Sequence, residues 1–179
     1  MVKKILIGLL VVILILVVVI ATRPPEFKVE RSTTINASPA TVYGHVNDFH
    51  KWQAWSPWEK MDPAMTRTIS GPESGTGAKY HWVGNNKVGE GSMEITESKP
   101  AELVKIKLDF IKPMAATSDT VFTFTPEGSG TKVTWTMSGK NNFMAKAFSL
   151  VMNMDKMVGG DFEKGLAQMK AVSEAPPKP

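Results

Sequence analysis

The chain runs through three hydrophobic rhythms. From Ile5 to Ala21 no residue is charged, with Lys3 and Lys4 before the run and Arg23 after it. As a helix the run reaches about 25 Å, at the short end of the roughly 17–25 residues that span a bilayer. It is apolar on every face and is followed by Pro24-Pro25, which does not suit a buried core helix. The pattern predicts a transmembrane signal anchor over 1–21 and a linker over 22–26. A cleaved signal peptide is the alternative. Its apolar region is usually shorter, about 7–15 residues, but Val19-Ile20-Ala21 is acceptable as a cleavage site. Lys3 and Lys4 keep the N-terminus in the cytoplasm by the positive-inside tendency. The expected localisation is a single-pass membrane protein whose C-terminal domain faces the periplasm or the exterior. With cleavage it becomes a secreted or periplasmic protein.

From Phe27 the rhythm is two. "FKVERSTTI" alternates, with Phe27, Val29 and Ile35 on one parity, and reads as a half-buried strand. In "NASPATVYGHVND", Ser38 suits an N-cap and Pro39 the first helical position. Val42 and Val46, four apart, give that short helix an inner face. A second short helix or ordered turn is expected from Phe49 to Trp58, stopped by Pro57. Strands and turns follow from about Met65. "NNK" marks a hairpin turn. Val104, Ile106, Leu108 and Phe110 share a parity, as do Phe122 and Phe124, and then Val133, Trp135 and Met137. About five consecutive strands on short turns predict an antiparallel meander.

The third rhythm is helical. Phe143, Ala147, Val151, Met154, Val158, Phe162, Leu166 and Met169 recur at three and four. Gly159-Gly160 predicts a kink or two consecutive helices. The tail over 173–179, "SEAPPKP", is polar and Pro-rich and is expected to be disordered. An antiparallel sheet cannot leave its apolar face in water, and the final helix is the element large enough to cover it. The predicted class is therefore α+β, a curved antiparallel sheet wrapped around a long C-terminal helix, with a cavity between them.

Charge alters this picture little. The formal net charge is +4, and Lys3 and Lys4 supply two of those charges, leaving +2. With no Lys/Arg cluster, no nucleic-acid partner is expected. The absence of Cys excludes thiol catalysis, a Cys-ligated zinc and a lipoprotein anchor. His45 and His50 lie about 140° apart around a helix and share no face. His81 sits in a strand beside Trp82. No metal site, catalytic set or cofactor is expected. Neither "GPESGTG" nor "GNNKVGEG" has the ending of a phosphate loop. The acid/base candidates are His81, Glu90, Glu94 and Asp109, although Glu90 and Glu94 take the parity opposite to Met93 and Ile95 and point to solvent.

Four stretches, "WQAWSPWEKMDP", "YHWVGNNKVGEGSMEI", "TKVTWTMSG" and "MDKMVGGDFEKGLAQMK", carry a resemblance to the START-like, or SRPBCC, superfamily and its helix-grip fold. Within it the chain is similar to the polyketide cyclase/dehydrase and lipid-transport family. The resemblance covers 27–172, and the N-terminal apolar segment is an addition to the bare domain. It implies a hydrophobic-ligand pocket and transfers no catalytic residue.

Five of the eleven methionines fall in the final helical region, and Met suits irregular, adaptable surfaces. With the strand aromatics they suggest an apolar pocket. Its expected lining is Trp55, Trp82, Ile106, Leu108, Phe122, Phe124, Trp135, Met137, Met154 and Met157. Trp52 or Trp58 is a candidate for the membrane interface, against the plainer reading that all three clustered tryptophans close the core. The expected function is a membrane-tethered module binding a hydrophobic small molecule or lipid. The alternatives are a cyclase/dehydrase-type enzyme using pocket acid/base residues, and a protein-interaction domain with a filled core. No oligomeric state is read from the pattern.

Overall fold

Why does a single helix suffice to close this sheet? The structure, a computed structural model, describes residues 1–150 and 153–176. Helix α1 spans Val2–Thr22 and its side chains are exposed throughout, save Ile20. Strand β1, Glu26–Ile35, follows a three-residue link. Helix α2, Pro39–Val46, starts as its sequence dictates: the Ser38 hydroxyl accepts from the Thr41 N–H at 3.2 Å. Val42 and Val46 are buried. A 3₁₀ turn over Phe49–Ala54 leads to α3, Pro57–Met61. Here Pro57 does not stop a helix. It opens one, because its fixed φ suits the first turn and its missing N–H is not needed there.

Six strands follow: β2 Thr66–Ser70, β3 Lys79–Val83, β4 Glu90–Lys99, β5 Leu103–Lys112, β6 Ala116–Glu127 and β7 Gly130–Lys140. With β1 they form one antiparallel sheet in the order β1-β7-β6-β5-β4-β3-β2. Local hairpins link β2 to β7, and β1 closes on β7, with Glu26 opposite Lys140 and Ile35 opposite Thr131.

The final helical region is two helices, α4 Phe143–Phe148 and α5 Met154–Glu174. The break therefore falls before Met154, and α5 runs through Gly159-Gly160 without interruption. The predicted interruption at the glycines is wrong for a physical reason. A Cβ at Gly159 would run into the Arg31 guanidinium of β1, so the position needs the missing side chain and not a bend. Asn153 caps α5 by accepting from the Lys156 N–H at 3.0 Å. At its other end α5 enters the tail, and the Glu174 carboxylate accepts from the Asn36 N–H at 2.6 Å. Val151 and Met152, which periodicity assigns to the final helix, lie outside the described residues, as do 177–179.

Helix α5 lies along β1 on the sheet's inner face. Arg31 fastens its first turns, donating to Asp155 at 3.0 Å and to Glu163 at 2.7 Å. Phe162, Leu166 and Met169 are buried against the sheet. One long helix suffices at the end away from α1 because α2, the 3₁₀ turn and α3 share the cover of the inner face there, bringing in Trp52, Trp55 and Trp58.

Candidate functional site

Strand register sorts the inner face into rows running across the sheet. One row is Arg31, Trp135, Phe122 and Val104. The next is Val29, Met137, Thr120, Ile106 and Ile95. The third is Phe27, Gly139, Ser118, Leu108, Met93 and Tyr80. The fourth is Ala116, Phe110, Gly91 and Trp82. Successive rows approach the end of the sheet where α1 joins it.

The first row is solidly packed. Trp135 lies on Phe162 of α5, with ring centroids 3.9 Å apart and planes 8° from parallel. Phe122 tilts against it at 4.8 Å, and Trp55 and Trp58 meet it edge-on at 5.6 and 5.8 Å. Trp52 packs on Trp55 at 4.8 Å and on Phe49 at 5.3 Å. Offset and edge-on contacts of this kind add about 0.5–1.5 kcal/mol per pair beyond buried area. The three clustered tryptophans therefore close the core together. Trp52 and Trp55 are buried and donate their indole N–H groups to the Val46 and His45 carbonyls, each at 3.0 Å. The expectation that Trp52 or Trp58 sits at a membrane interface is overturned: Trp58 packs inward on Trp135 and Phe162.

Helix α5 begins level with Arg31, so the rows nearer α1 are less tightly covered. Phe27, Met93, Leu108 and Phe110 are only half-buried, although they share the core parity. Trp82 is buried and donates to the Val88 carbonyl at 3.0 Å. Its indole crosses strand β4 at Gly91, where any Cβ would strike the ring. Gly91 thus lets Trp82 form a flat wall beside Phe110, 6.2 Å away.

Two polar atoms interrupt this apolar surface. The Thr120 hydroxyl and the Trp135 indole N–H are both buried without a hydrogen-bond partner among the described residues. They occupy neighbouring rows on adjacent strands, Thr120 opposite Met137 and Trp135 opposite Phe122. Buried polar groups are nearly always paired, since leaving one unpaired costs about 1–3 kcal/mol. Ser118, also buried, lies one row further towards α1. These residues were legible only as a parity: Thr120 and Ser118 precede Phe122 at intervals of two.

Of the residues expected to line a pocket, Trp55, Ile106, Phe122, Phe124 and Trp135 are buried in the packed core. Met137 is buried in the same row as Ile106, and Trp82 and Leu108 lie in the rows beyond it, nearer α1. Met157 is 44% exposed in the first turns of α5. The side chain of Met154 lies outside the described residues.

The acid/base candidates sit elsewhere. His81, Glu94 and Asp109 line a depression of about 230 Å³ on the outer face, with Thr68, Ser70 and Lys79. Each carboxylate of the set is paired. Glu90 meets Lys112 at 2.6 Å, Glu94 meets Lys79 at 3.5 Å, and Asp109 accepts from Thr117 at 2.6 Å and meets Lys107 at 3.0 Å. Hydrogen bonding from Lys112 lowers the Glu90 pKa, and that from Thr117 lowers Asp109's. This is the reverse of what a general acid needs. Among the described residues no group of three or more His, Asp or Glu could hold a metal.

A buried ionic group was missed. Glu59 of α3 accepts from Arg67 Nε at 2.6 Å and from the Tyr80 hydroxyl at 2.8 Å. Burial, then the hydrogen bond to Glu59, raises the Tyr80 pKa, so the phenol stays a donor. Asp62, also buried, accepts from the Asn85 N–H at 2.7 Å and fixes the β3–β4 hairpin. The acids of "WEKMD" are thus structural, pinning α3 to β2 and β3. Each contact spans a turn or more, which no local pattern reveals.

A curved antiparallel sheet gripping a C-terminal helix over an apolar interior defines a helix-grip domain, a ligand-binding fold. The chain belongs to the polyketide cyclase/dehydrase and lipid transport family, whose model matches residues 26–174. No curated protein is similar enough to count as a match. Among solved structures, protein CV1439 from Chromobacterium violaceum is 15% identical, with a TM-score of 0.61, over 86% of this chain and 100% of that one. The Aha1 dimer from Colwellia psychrerythraea is 18% identical, with a TM-score of 0.60, over 83% and 96%. The di-domain ARO/CYC BexL, from the BE-7585A biosynthetic pathway, is 16% identical, with a TM-score of 0.63, over 90% of this chain and 54% of that one. At these identities the likeness is one of fold.

Proposed function

We propose that this protein is a membrane-tethered binding module for a hydrophobic small molecule or lipid carrying one polar group. The ligand lies on the inner face between the packed aromatic row and the end of the sheet nearest α1. Met93, Leu108, Phe110, Met137 and Trp82 supply the apolar contact. The observation that carries the reading is that two of the five unpartnered buried polar side-chain atoms among the described residues, Thr120 Oγ1 and Trp135 Nε1, fall in neighbouring rows of the inner face. One can donate or accept and the other only donates, which suits a hydroxyl, carbonyl or ester oxygen. Apolar burial contributes about 25 cal/mol per Å², and the two polar atoms set the ligand's orientation. The family's description joins cyclase/dehydrase chemistry to lipid transport, and an apolar surface whose nearby acids are paired on the outer face supports the second of these.

The tether is α1, a 21-residue apolar helix long enough to cross a membrane. Lys3 and Lys4 favour a cytoplasmic N-terminus, leaving the domain on the periplasmic or outer side.

The test is mass spectrometry of the full chain purified from cells in mild detergent, with extraction of whatever accompanies it. A stoichiometric apolar compound, lost in Leu108→Trp and held more weakly by Thr120→Val, supports the reading. A chain that carries nothing and takes up no fluorescent fatty acid overturns it in favour of a domain with a filled core, the reading the aromatic row favours.

A further inference from the structure

The register gathers one end of every long strand beside α1. Glu90 faces Lys112, Ala116 faces Phe110, Ser118 faces Gly139, and Gly139 faces Phe27. The β3–β4 hairpin, the β5–β6 hairpin, the start of β1 and the exit of β7 into α4 therefore share a rim. That rim is apolar and exposed. Ile111 and Met114 project from the β5–β6 hairpin, Val83 from the end of β3, and Phe143, Met144 and Phe148 from α4. Met144 is 63% exposed. Outside α1, the large apolar side chains exposed among the described residues are these six and Met157. Scattered apolar residues need no explanation, but a set confined to one end of a domain does.

We infer that this rim rests on the surface of the bilayer that holds α1, with anionic lipid headgroups against its basic residues. The inference rests on the reading of α1 as a membrane anchor. Three observations favour a bilayer as the occupant. First, the rim is continuous with α1. The link Arg23–Pro25 is three residues long, reaching about 10 Å at full extension. Helix α4 touches α1, the Lys146 ammonium donates to the Ala21 carbonyl at 3.4 Å and the Asn141 N–H to the Pro25 carbonyl at 2.6 Å. The domain thus presents this end to the plane that α1 crosses. Second, the rim is edged with cations. Arg23, Lys87, Lys112, Lys140 and Lys146 stand against Glu26 and Glu90, and Glu90 is already paired with Lys112. Long basic side chains around an apolar centre match an anionic interface. Third, α4 exposes Phe143, Met144 and Phe148 while Lys146 turns back to α1, so its apolar side is free to enter the acyl boundary. The half-buried rows of the inner face reach this same end, so a ligand would pass between bilayer and domain without crossing water.

The chain has no cysteine, so single labels are simple to place. Full-length Met114→Cys, Met144→Cys and, at the opposite end, Ser129→Cys would each carry an environment-sensitive fluorophore. They would be reconstituted in phosphatidylcholine–phosphatidylglycerol vesicles containing spin-labelled lipid. Quenching at 114 and 144 but not 129, weakened in a Lys112→Glu/Lys146→Glu background, is the expected result. Labels at 114 and 144 as unquenched as that at 129 overturn the rim. Alkaline extraction of the same vesicles reads the anchor separately. A chain that washes off although its rim labels were quenched refutes the anchor and retains the surface contact. A chain that resists extraction with unquenched labels does the reverse.

Discussion

Trp135 of β7 and Phe162 of α5 stack face to face, 3.9 Å between ring centroids. This stack joins helix to sheet in the packed half of the domain. Phe162→Ala removes the ring from a site where four aromatic side chains converge on Trp135. The expected loss is about 3–5 kcal/mol, read as a shift in denaturation midpoint of the detergent-solubilised chain. A loss under about 1 kcal/mol would mean that α5 is held chiefly by its ion pairs.

Gly159→Ala is expected to cost about 1–3 kcal/mol through overpacking, although Ala is the better helix former by about 1 kcal/mol. The new methyl displaces the Arg31 guanidinium from Asp155 and Glu163. Restoration of stability by Arg31→Ala in the same chain would tie the cost to that clash. A stabilising Gly159→Ala would show that Arg31 moves aside freely.

The Glu59 group should be intolerant of single changes. Glu59→Gln leaves Arg67 without its counter-charge. The expected cost is about 3 kcal/mol, the lower end for a broken buried pair, because the Arg67 side chain keeps 25% of its surface exposed. Tyr80→Phe should cost about 1–2 kcal/mol, since it strips one donor from a buried carboxylate. Chemical denaturation of each variant checks both.

Acid should weaken the grip on α5. Hydrogen bonding from Arg31 lowers the Asp155 pKa, and the Asn36 N–H lowers that of Glu174. A carboxylate with a depressed folded-state pKa stabilises the protein above its unfolded-state value, and the benefit vanishes as pH falls through the folded-state value. Stability should therefore decline from about pH 4 downward. In Arg31→Gln the decline should be shallower. An unchanged pH profile in that variant would assign the acid sensitivity to other carboxylates.

Ligand uptake should separate from stability at Leu108. Leu108→Trp fills the half-buried row beside Ser118 and Met93, and uptake of a fluorescent fatty acid should fall several-fold with the denaturation midpoint little changed. Trp55→Ala should instead unfold the domain, because Trp55 is fully buried with its N–H paired. Equal loss of folding in both would place Leu108 in the core proper.

Strand parity carries much of this architecture. Val29, Ile35, Val104, Ile106, Phe122, Phe124, Val133 and Trp135 are buried where alternation puts them, because a sheet covered on one face leaves a residue two choices. Glu90 and Glu94 take the outer face for the same reason. What parity does not carry is a contact made across the fold. Gly159 looks like a helix breaker until Arg31, far away in sequence on β1, is seen to occupy its side-chain space. Pro57 looks like a stop until the turn before it is known. The spacing of Trp52, Trp55 and Trp58 rules out a single helical stripe, but not whether a bent backbone brings all three inward. Thr120 has the right parity for the core and the wrong chemistry for it, a contradiction visible in sequence only after β6 is placed.

The pairing of β1 with β7 governs how the domain is made. Strands β2 to β7 can assemble hairpin by hairpin as the chain is synthesised. Among the described residues the first strand after α1 has one sheet partner, the last strand of the meander, with Glu26 against Lys140. Until that segment has emerged, β1 is an unpaired edge with Phe27, Val29 and Ile35 uncovered, a state open to wrong pairing. Closure is thus a late event of high contact order. A chain cut short before Gly130 would keep α1 and β1 and lose β7, the strand that ties β1 to the rest of the sheet.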